Sequence, residues 1–235
     1  MLAGGLGTRL LPYTTVLPKP LMPIGDRPVL DIVLRQLRRH AFDRVTISTG
    51  HLAELIEAFF GDGSRHDIPV DYFREERPLG TVGSLALIDG LDDDFLVMNG
   101  DVLTDMDYAA LMDSHRASGA VATIAVKERM VQIDLGVLEF ADNGQPDRIT
   151  ACVEKPRLQY HASMGVYCFS PSVLRFIEPG AALDFPDLMQ RLLDAGEHVR
   201  GERSDCYWLD IGRHDDYEQA LEEYTQMRHV LVPDD

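Results

Sequence analysis

No apolar run in the 235 residues approaches the roughly 20 that carry a helix across a bilayer. No basic-then-apolar segment opens the chain as a secretory leader would. Cysteine is scarce: Cys152, Cys168 and Cys206 are odd in number, widely spaced and without a metal-type pairing. They are expected to be reduced, mostly buried thiols of a cytoplasmic protein. Positive charge is short too. Lys and Arg number 22 against 39 Asp and Glu, a net charge of −17. That makes the chain a poor general binder of nucleic acid or anionic membranes. Any anion site must be a local concentration of positive charge. Internal repeats and low-complexity linkers are absent, and the length reads as one domain with a sizeable core. The eight histidines are scattered, with no metal-ligand pair at helical spacing and no Ser–His–acid or Cys–His constellation. Most are expected at the surface.

What the chain does have is concentrated near its start. Gly4 to Pro20 reads GGLGTRLLPYTTVLPKP. Gly4, Gly5 and Gly7 permit backbone angles and close approach that a side chain would block. Bare N–H groups in such a turn can face an anion. Arg9 and Lys19 add two positive charges, and Pro12, Pro18 and Pro20 stiffen the stretch against helix. The composition fits a loop that holds a polyphosphate. It is not the P-loop, because no Gly-Lys-Ser/Thr follows a glycine at the required spacing. It is not the dinucleotide fingerprint either, since Leu10 stands where the third glycine belongs.

Strand and helix patterns then alternate. Leu30 to Leu37 has helical spacing after Pro28. Val45 to Thr49 alternates as a strand, and Leu52 to Phe59 reads as a helix stopped near Gly61 and Gly63. Val70 to Arg74 is expected as a strand, Thr81 to Ile88 as a short helix, and Phe95 to Met98 as a buried strand. Asp107 to Ser118 is expected as a helix and Val121 to Val126 as a strand. This alternation predicts a mainly parallel sheet with helices on both faces. Beyond Lys127 the pattern changes. Strands are expected at Val137 to Phe140 and Arg148 to Val153, around the turn Asp142-Asn143-Gly144, and again at Ser163 to Phe169. Helices are expected at Pro171 to Ile177, Phe185 to Ala195 and His214 to Met227, with a short strand Tyr207 to Leu209 before the last. The fold class is α/β, a Rossmann-like three-layer sandwich with a mixed, mainly parallel central sheet and a small antiparallel lobe. Residues 1–235 are expected to form a single domain, with one half at about 1–127 and the other at about 128–235.

Asn99-Gly100-Asp101 follows a buried strand, where α/β sheets bind ligands. An Asp there can also be a plain turn residue that hydrogen-bonds its own backbone. Glu75 to Gly83 reads EERPLGTVG.

GG-x-GTRL-x-P followed by PKPL-x-P-I resembles the start of the sugar-phosphate nucleotidyltransferases, and the similarity runs from Leu2 to about Tyr224. These enzymes join a nucleoside triphosphate and a sugar 1-phosphate into a nucleotide-sugar and pyrophosphate. The resemblance implies a nucleotide-binding first half and a sugar-binding second half. It implies nucleotide contacts from Leu2, Ala3, Gly4, Gly5, Gly7, Thr8, Arg9, Lys19, Glu75, Gly80, Thr81, Asn99 and Gly100. Arg9, Lys19 and Asp101 would be catalytic, and Asp101 and Asp210 would hold magnesium, a hard cation suited to few carboxylates and substrate phosphates. Gly136, Glu154, Lys155, Met164 and Gly165 would meet the sugar phosphate. The Glu75 stretch is similar to the nucleobase loop. Guanine offers two adjacent donors that a carboxylate can accept together, whereas uracil's alternating edge suits an amide. Glu75 is therefore assigned to a guanine, with Glu76 as a near rival. The reading is a guanylyltransferase of the mannose-1-phosphate type, using GTP and a sugar 1-phosphate. The alternatives are a uridylyltransferase on N-acetylmuramate 1-phosphate or glucose 1-phosphate, and a regulatory subunit that binds nucleotide-sugar without turnover. No nucleic acid or membrane partner is expected, and a homo-oligomer is compatible with the reading. The chain departs from the family's pattern in Ser163-Met164-Gly165 for Asn-Ala-Gly, in Tyr13 for Leu, and in lacking a strand before Met1, so trimming or an unusually short start is expected.

Overall fold

The structure, a computed structural model, describes residues 1–91, 93–141 and 147–233. It opens with a two-residue strand, β1 (Leu2–Ala3). The loop behind β1 coils into three 3-10 turns, Thr8–Leu10, Tyr13–Thr15 and Lys19–Leu21. A hairpin of β2 (Pro23–Ile24) and β3 (Arg27–Pro28) leads into α1 (Val29–Arg39). Then come β4 (Val45–Thr49), α2 (Ala53–Phe60) and β5 (Val70–Arg74), followed by β6 (Phe95–Met98), β7 (Val102–Thr104) and α3 (Tyr108–Ser118). The second half holds β8 (Ala122–Gln132), β9 (Gly136–Phe140), β10 (Ile149–Glu154), β11 (Arg157–Phe169) and α4 (Phe185–Asp194). It ends with β12 (Val199–Arg203), β13 (Trp208–Asp210) and α5 (His214–Leu231).

The parallel trio β5-β4-β1 meets the segment β6-β11-β8-β12 through a parallel bridge between Leu2 and Asn99. Along this order only β11 runs against the others, so the sheet is mixed and mainly parallel. Successive side chains of a strand point to opposite faces, and the two cores sort accordingly. Leu96, Met98, Val166 and Cys168 pack on one face with Leu30, Leu34 and Leu37 of α1 and Leu111 and Met112 of α3. Phe95, Val97, Tyr167 and Phe169 pack on the other with Leu188, Met189 and Leu192 of α4. Helix α1 is buried on a second stripe as well. There Val29 and Ile32 meet Leu209, Tyr217, Ala220 and Tyr224, so α1 lies between the sheet and α5. An Asp at a helix start caps a free N–H, as Asp107 does for α3 by accepting from Ala110 N at 2.9 Å.

Several expectations need correction. The helices expected at 81–88 and 171–177 are shorter 3-10 helices, Gly83–Leu87 and Pro171–Phe176. Runs of five and six residues are too short for an α-helix to propagate. Strands β8 and β11 run well past the expected 121–126 and 163–169. Residues 127–132 and 157–162 pair as an exposed antiparallel ribbon, and exposure on both faces erases the alternation that marks a half-buried strand. Strands β7 and β12 and the β2–β3 hairpin had no expectation at all. The turn at Asp142-Asn143-Gly144 lies outside the described residues. Cys168 is buried, but Cys206 is half-buried and Cys152 exposed, so the thiols are not mostly buried. His66 and His115 are buried, His40, His51 and His214 are half-buried, and only His161, His198 and His229 are exposed. No helix among the described residues is long and apolar enough to cross a membrane.

Candidate active site

Strands β1, β4, β5 and β6 run in parallel and end on one side of the molecule, where open α/β sheets bind ligands. Two adjoining clefts lie there. The first, of about 460 Å³, is lined by every residue assigned above to the nucleotide, and also by Asp101, Asp184 and Gly212. The second, of about 530 Å³, is lined by Met164, Gly165, Tyr167, Phe185, Trp208 and Asp210, and shares Thr81, Asn99 and Asp184 with the first. A larger cavity of about 660 Å³ sits at the opposite, amino-terminal end of β1, beside Met1, Thr46 and Val97. There the Met1 ammonium donates to Thr46 O at 2.7 Å, and burial pulls its pKa down to about 5. That end of a parallel sheet is not where ligands bind, so we take the pair of clefts as the site.

The glycine loop is shaped by contacts only glycine allows. Gly7 has a left-handed φ of 62°, and a Cβ there would lie 2.8 Å from Thr14 Cγ2. Thr14 closes the loop by donating from Oγ1 to Gly7 O at 2.8 Å. Lys19 stands between the buried Pro18 and Pro20, in the turn closed by Leu21 N to Pro18 O at 2.8 Å. Its ammonium is ion-paired with Asp101. Arg9 is exposed at the cleft rim.

Asp101 and Asp210 converge through strand pairing. β7 runs antiparallel to β13 with Asp210 opposite Val102, and Ile211 N donates to Asp101 O at 3.1 Å. A Cβ on Gly212 would lie 3.4 Å from Asp210 Oδ2 and 3.5 Å from both Arg9 Nη1 and Asp216 Oδ2. Two carboxylates and a guanidinium therefore crowd one point. Burial, and then the charge of Asp101, hold the Asp210 carboxyl above its ordinary value, while Lys19 and Arg9 oppose the rise. Asp101 Oδ1 is buried without a partner among the described residues. An orphaned carboxylate oxygen beside a second, disfavoured carboxylate fits a hard divalent cation. No group of three or more His, Cys, Asp and Glu that could hold a metal occurs among the described residues. A cation here would thus be completed by substrate oxygens rather than by a protein cage.

The raised Asp210 carboxyl has a sign that can be tested. A carboxyl whose folded pKa exceeds its unfolded value favours folding when neutral. That contribution is fully present below the ordinary value of 3.8 and is lost as pH rises through the raised value. Asp210→Asn is therefore expected to melt no lower than the parent at pH 7 while losing activity. A lower melting temperature with activity retained would show that Asp210 is a structural residue.

Glu75 follows β5 and lies close to the loop, its Oε1 at 3.2 Å from a Cβ built on Gly4. Both of its oxygens already accept hydrogen bonds, from Ser48 Oγ at 2.8 Å and Leu79 N at 3.1 Å. Glu76 is exposed. The segment after Glu75 is stitched to the start of α4. Thr81 N donates to Asp184 Oδ1 at 3.0 Å, and Phe185 N donates to Thr81 Oγ1 at 2.6 Å. Gly80, with φ of 73°, passes so close that a Cβ would lie 2.6 Å from Leu183 O.

Of the residues assigned to the sugar, Met164 and Gly165 line the second cleft. Met164 is itself fully buried, and its carbonyl accepts from Trp208 Nε1 at 2.9 Å. Gly136, Glu154 and Lys155 line neither cleft. Gly136 pairs with Glu154 across β9 and β10, and all three are exposed on that hairpin. Sequence reasoning missed Asp184, Tyr167, Phe185 and Trp208. Tyr167 and Phe185 stack at 3.9 Å between centroids, and Arg129 lies 4.9 Å over the Trp208 ring. The lone tryptophan two residues before Asp210 was a usable signal. Asp184 was not, because Asp before Phe-Pro reads simply as a helix start.

The chain belongs to the nucleotidyl transferase family, whose pattern it matches over residues 1–227. It is 35% identical to a UTP–glucose-1-phosphate uridylyltransferase of Synechocystis, over 99% of this chain and 65% of that protein. It is 34% identical to a mannose-1-phosphate guanylyltransferase of Mycobacterium tuberculosis, over 92% of this chain and 61% of that protein. The chain thus spans somewhat less than two thirds of these two relatives. A D-glycero-alpha-D-manno-heptose 1-phosphate guanylyltransferase of Aneurinibacillus thermoaerophilus is 31% identical, over 95% of this chain and 96% of its own length. In three dimensions the chain resembles HddC of Yersinia pseudotuberculosis complexed with GMP-PN, with a TM-score of 0.70 and 26% identity over 95% of this chain and 97% of that one.

Proposed function

We propose that this chain joins a nucleoside triphosphate to a sugar 1-phosphate and releases pyrophosphate, with GTP and a mannose-1-phosphate-like sugar as its substrates. The observation that carries the reading is the seam between the two clefts, where Arg9, Lys19, Asp101 and Asp210 meet. The triphosphate lies along the glycine loop, its oxygens facing backbone N–H groups, Arg9 and Lys19. The sugar phosphate enters from the second cleft, and its oxygen, already anionic, attacks the α-phosphorus in line as pyrophosphate departs. No general base is needed, so the chain's work is positioning and charge neutralisation. Asp101 and Asp210 would hold magnesium, which supplies charge neutralisation at the reacting oxygens. The shared wall of Thr81, Asn99 and Asp184 sets the two substrates against each other.

Glu75 supports the guanine choice. A carboxylate has about four lone-pair sites. With Ser48 and Leu79 taking two, the others can accept from guanine's N1–H and 2-amino group. The same bonds keep the carboxylate in place, which favours recognition over mere solvation. Uridylyl transfer is the second reading, favoured by the likeness to the Synechocystis uridylyltransferase. Initial rates of pyrophosphate release with each of the four nucleoside triphosphates, against mannose 1-phosphate and glucose 1-phosphate, decide between them. No release with any pair would overturn the transferase reading and leave a binding module.

Glu75→Gln is expected to lower the GTP-to-UTP ratio of kcat/KM. The amide can still accept from Leu79 N and donate to Ser48 Oγ, so the melting temperature should hardly move. It sets a donor against a guanine donor, and an unpaired buried polar group costs about 1–3 kcal/mol, or roughly 5- to 150-fold. An unchanged ratio would remove Glu75 from base reading and send the test to Glu76.

A further inference from the structure

In a chain of net charge −17, an anion site requires cations gathered in one place. Arg9 and Lys19 are one such gathering. A second lies away from the clefts, in a groove of about 450 Å³ between the carboxyl end of α1, the turn Ser64–His66 and the end of α5. We propose that this groove is a second anion site that takes a phosphorylated small molecule. It rests on no step of the reaction above.

Arg35, Arg38 and Arg39 reach the groove from α1, and Arg65 and His66 from the facing turn. Asp67 is the one acidic residue among those lining it. Arg35 is committed through Nε to Asp31 Oδ2 at 2.9 Å. Arg38, Arg39 and Arg65 are exposed, and none of them is in an ion pair among the described residues. Cations at a helix carboxyl end ordinarily offset its dipole. That accounts for Arg38 and Arg39, but not for Arg65, which comes from another element to the same groove.

His66 ties the turn that carries Arg65 to α1. Its side chain is 4% exposed, and its Nε2 lies 2.7 Å from Asp31 Oδ1. Its Nδ1 is buried with no partner among the described residues. The anionic oxygens of a phosphate can meet the guanidinium forks, whose planar geometry suits phosphate. The groove's volume of about 450 Å³, over the buried Leu231 and Val232, leaves room for a carbon skeleton beside the phosphate.

Glucose 6-phosphate is a suitable probe, because it lacks the 1-phosphate that the proposed reaction needs. Titrated calorimetrically into the full chain without metal, it is expected to bind saturably. Arg38→Gln/Arg65→Gln should weaken that binding by about tenfold or more, the loss of two charge-assisted contacts. Arg65→Gln alone should give an intermediate loss. Lys19→Ala should leave it unchanged. All these substitutions are at residues outside the sheet's cores, and melting curves check the fold. Absence of saturable binding to the parent overturns the proposal, as does binding that survives the double variant. Binding that Lys19→Ala removes also overturns it, since the probe would then sit in the main cleft.

Discussion

Asp101→Asn is expected to reduce pyrophosphate release on the order of 10³-fold, comparable to removing a preorganised charge from a transition-state site, with the fold intact. The backbone around Asp101 is held independently of its side chain, by Gly100 N to Leu2 O at 2.9 Å and Ile211 N to Asp101 O at 3.1 Å. Asn keeps the shape but removes the charge that pairs Lys19, and it replaces one of two carboxylate oxygens with a donor. Cation affinity should fall with the rate. The check is an initial-rate series across a magnesium titration beside a thermal melt. Near-parental activity at low magnesium would sink the assignment of Asp101.

Lys19→Ala should cost on the order of 10²-fold or more in kcat if the ammonium meets charge that develops in the transition state. The turn around it is set by Leu21 N to Pro18 O and Met22 N to Lys19 O at 3.0 Å, so truncation should leave the loop in shape. Its side chain is only 12% exposed and ion-paired to Asp101. Removing it leaves that carboxylate beside Asp210 with less positive charge nearby, so the Asp210 carboxyl should be held higher still. Lys19→Arg is not expected to restore the rate, because a planar fork does not reproduce a compact point charge. An ordinary surface lysine changes rate and stability little, and a rate within a few-fold of the parent would place Lys19 in that class.

Both predictions depend on contacts far apart in the chain. Lys19 and Asp101 are 82 residues apart, and Thr81 and Asp184 are 103. The glycine loop, the helical stripe of α1, the alternating strands and the Asp after β6 are readable from the sequence, because spacing and backbone chemistry within a few residues determine them. The mainly parallel sheet follows from the strand–helix alternation by the same local logic. Gly7 and Thr14 illustrate how far this extends, since a bond over seven residues shapes the glycine loop.

The rest needed strand order. That β11 runs backwards between β6 and β8 decides which second-half residues stand beside Asn99, and so brings Tyr167 and Trp208 to the site while leaving Gly136, Glu154 and Lys155 on an exposed hairpin. The antiparallel pairing of β7 with β13 sets Asp210 next to Asp101, and burial at that junction is what raises the Asp210 carboxyl. Glu75 is recognisable as a loop carboxylate, but its anchorage by Ser48 comes from the parallel register of β4 and β5, with Ser48 opposite Phe73. The sequence by itself thus determined the sheet class, the glycine loop and the types of side chain available for chemistry. Tertiary structure alone decided which of them meet, because side chains separated by scores of residues are brought together only by the register and direction of the strands that carry them.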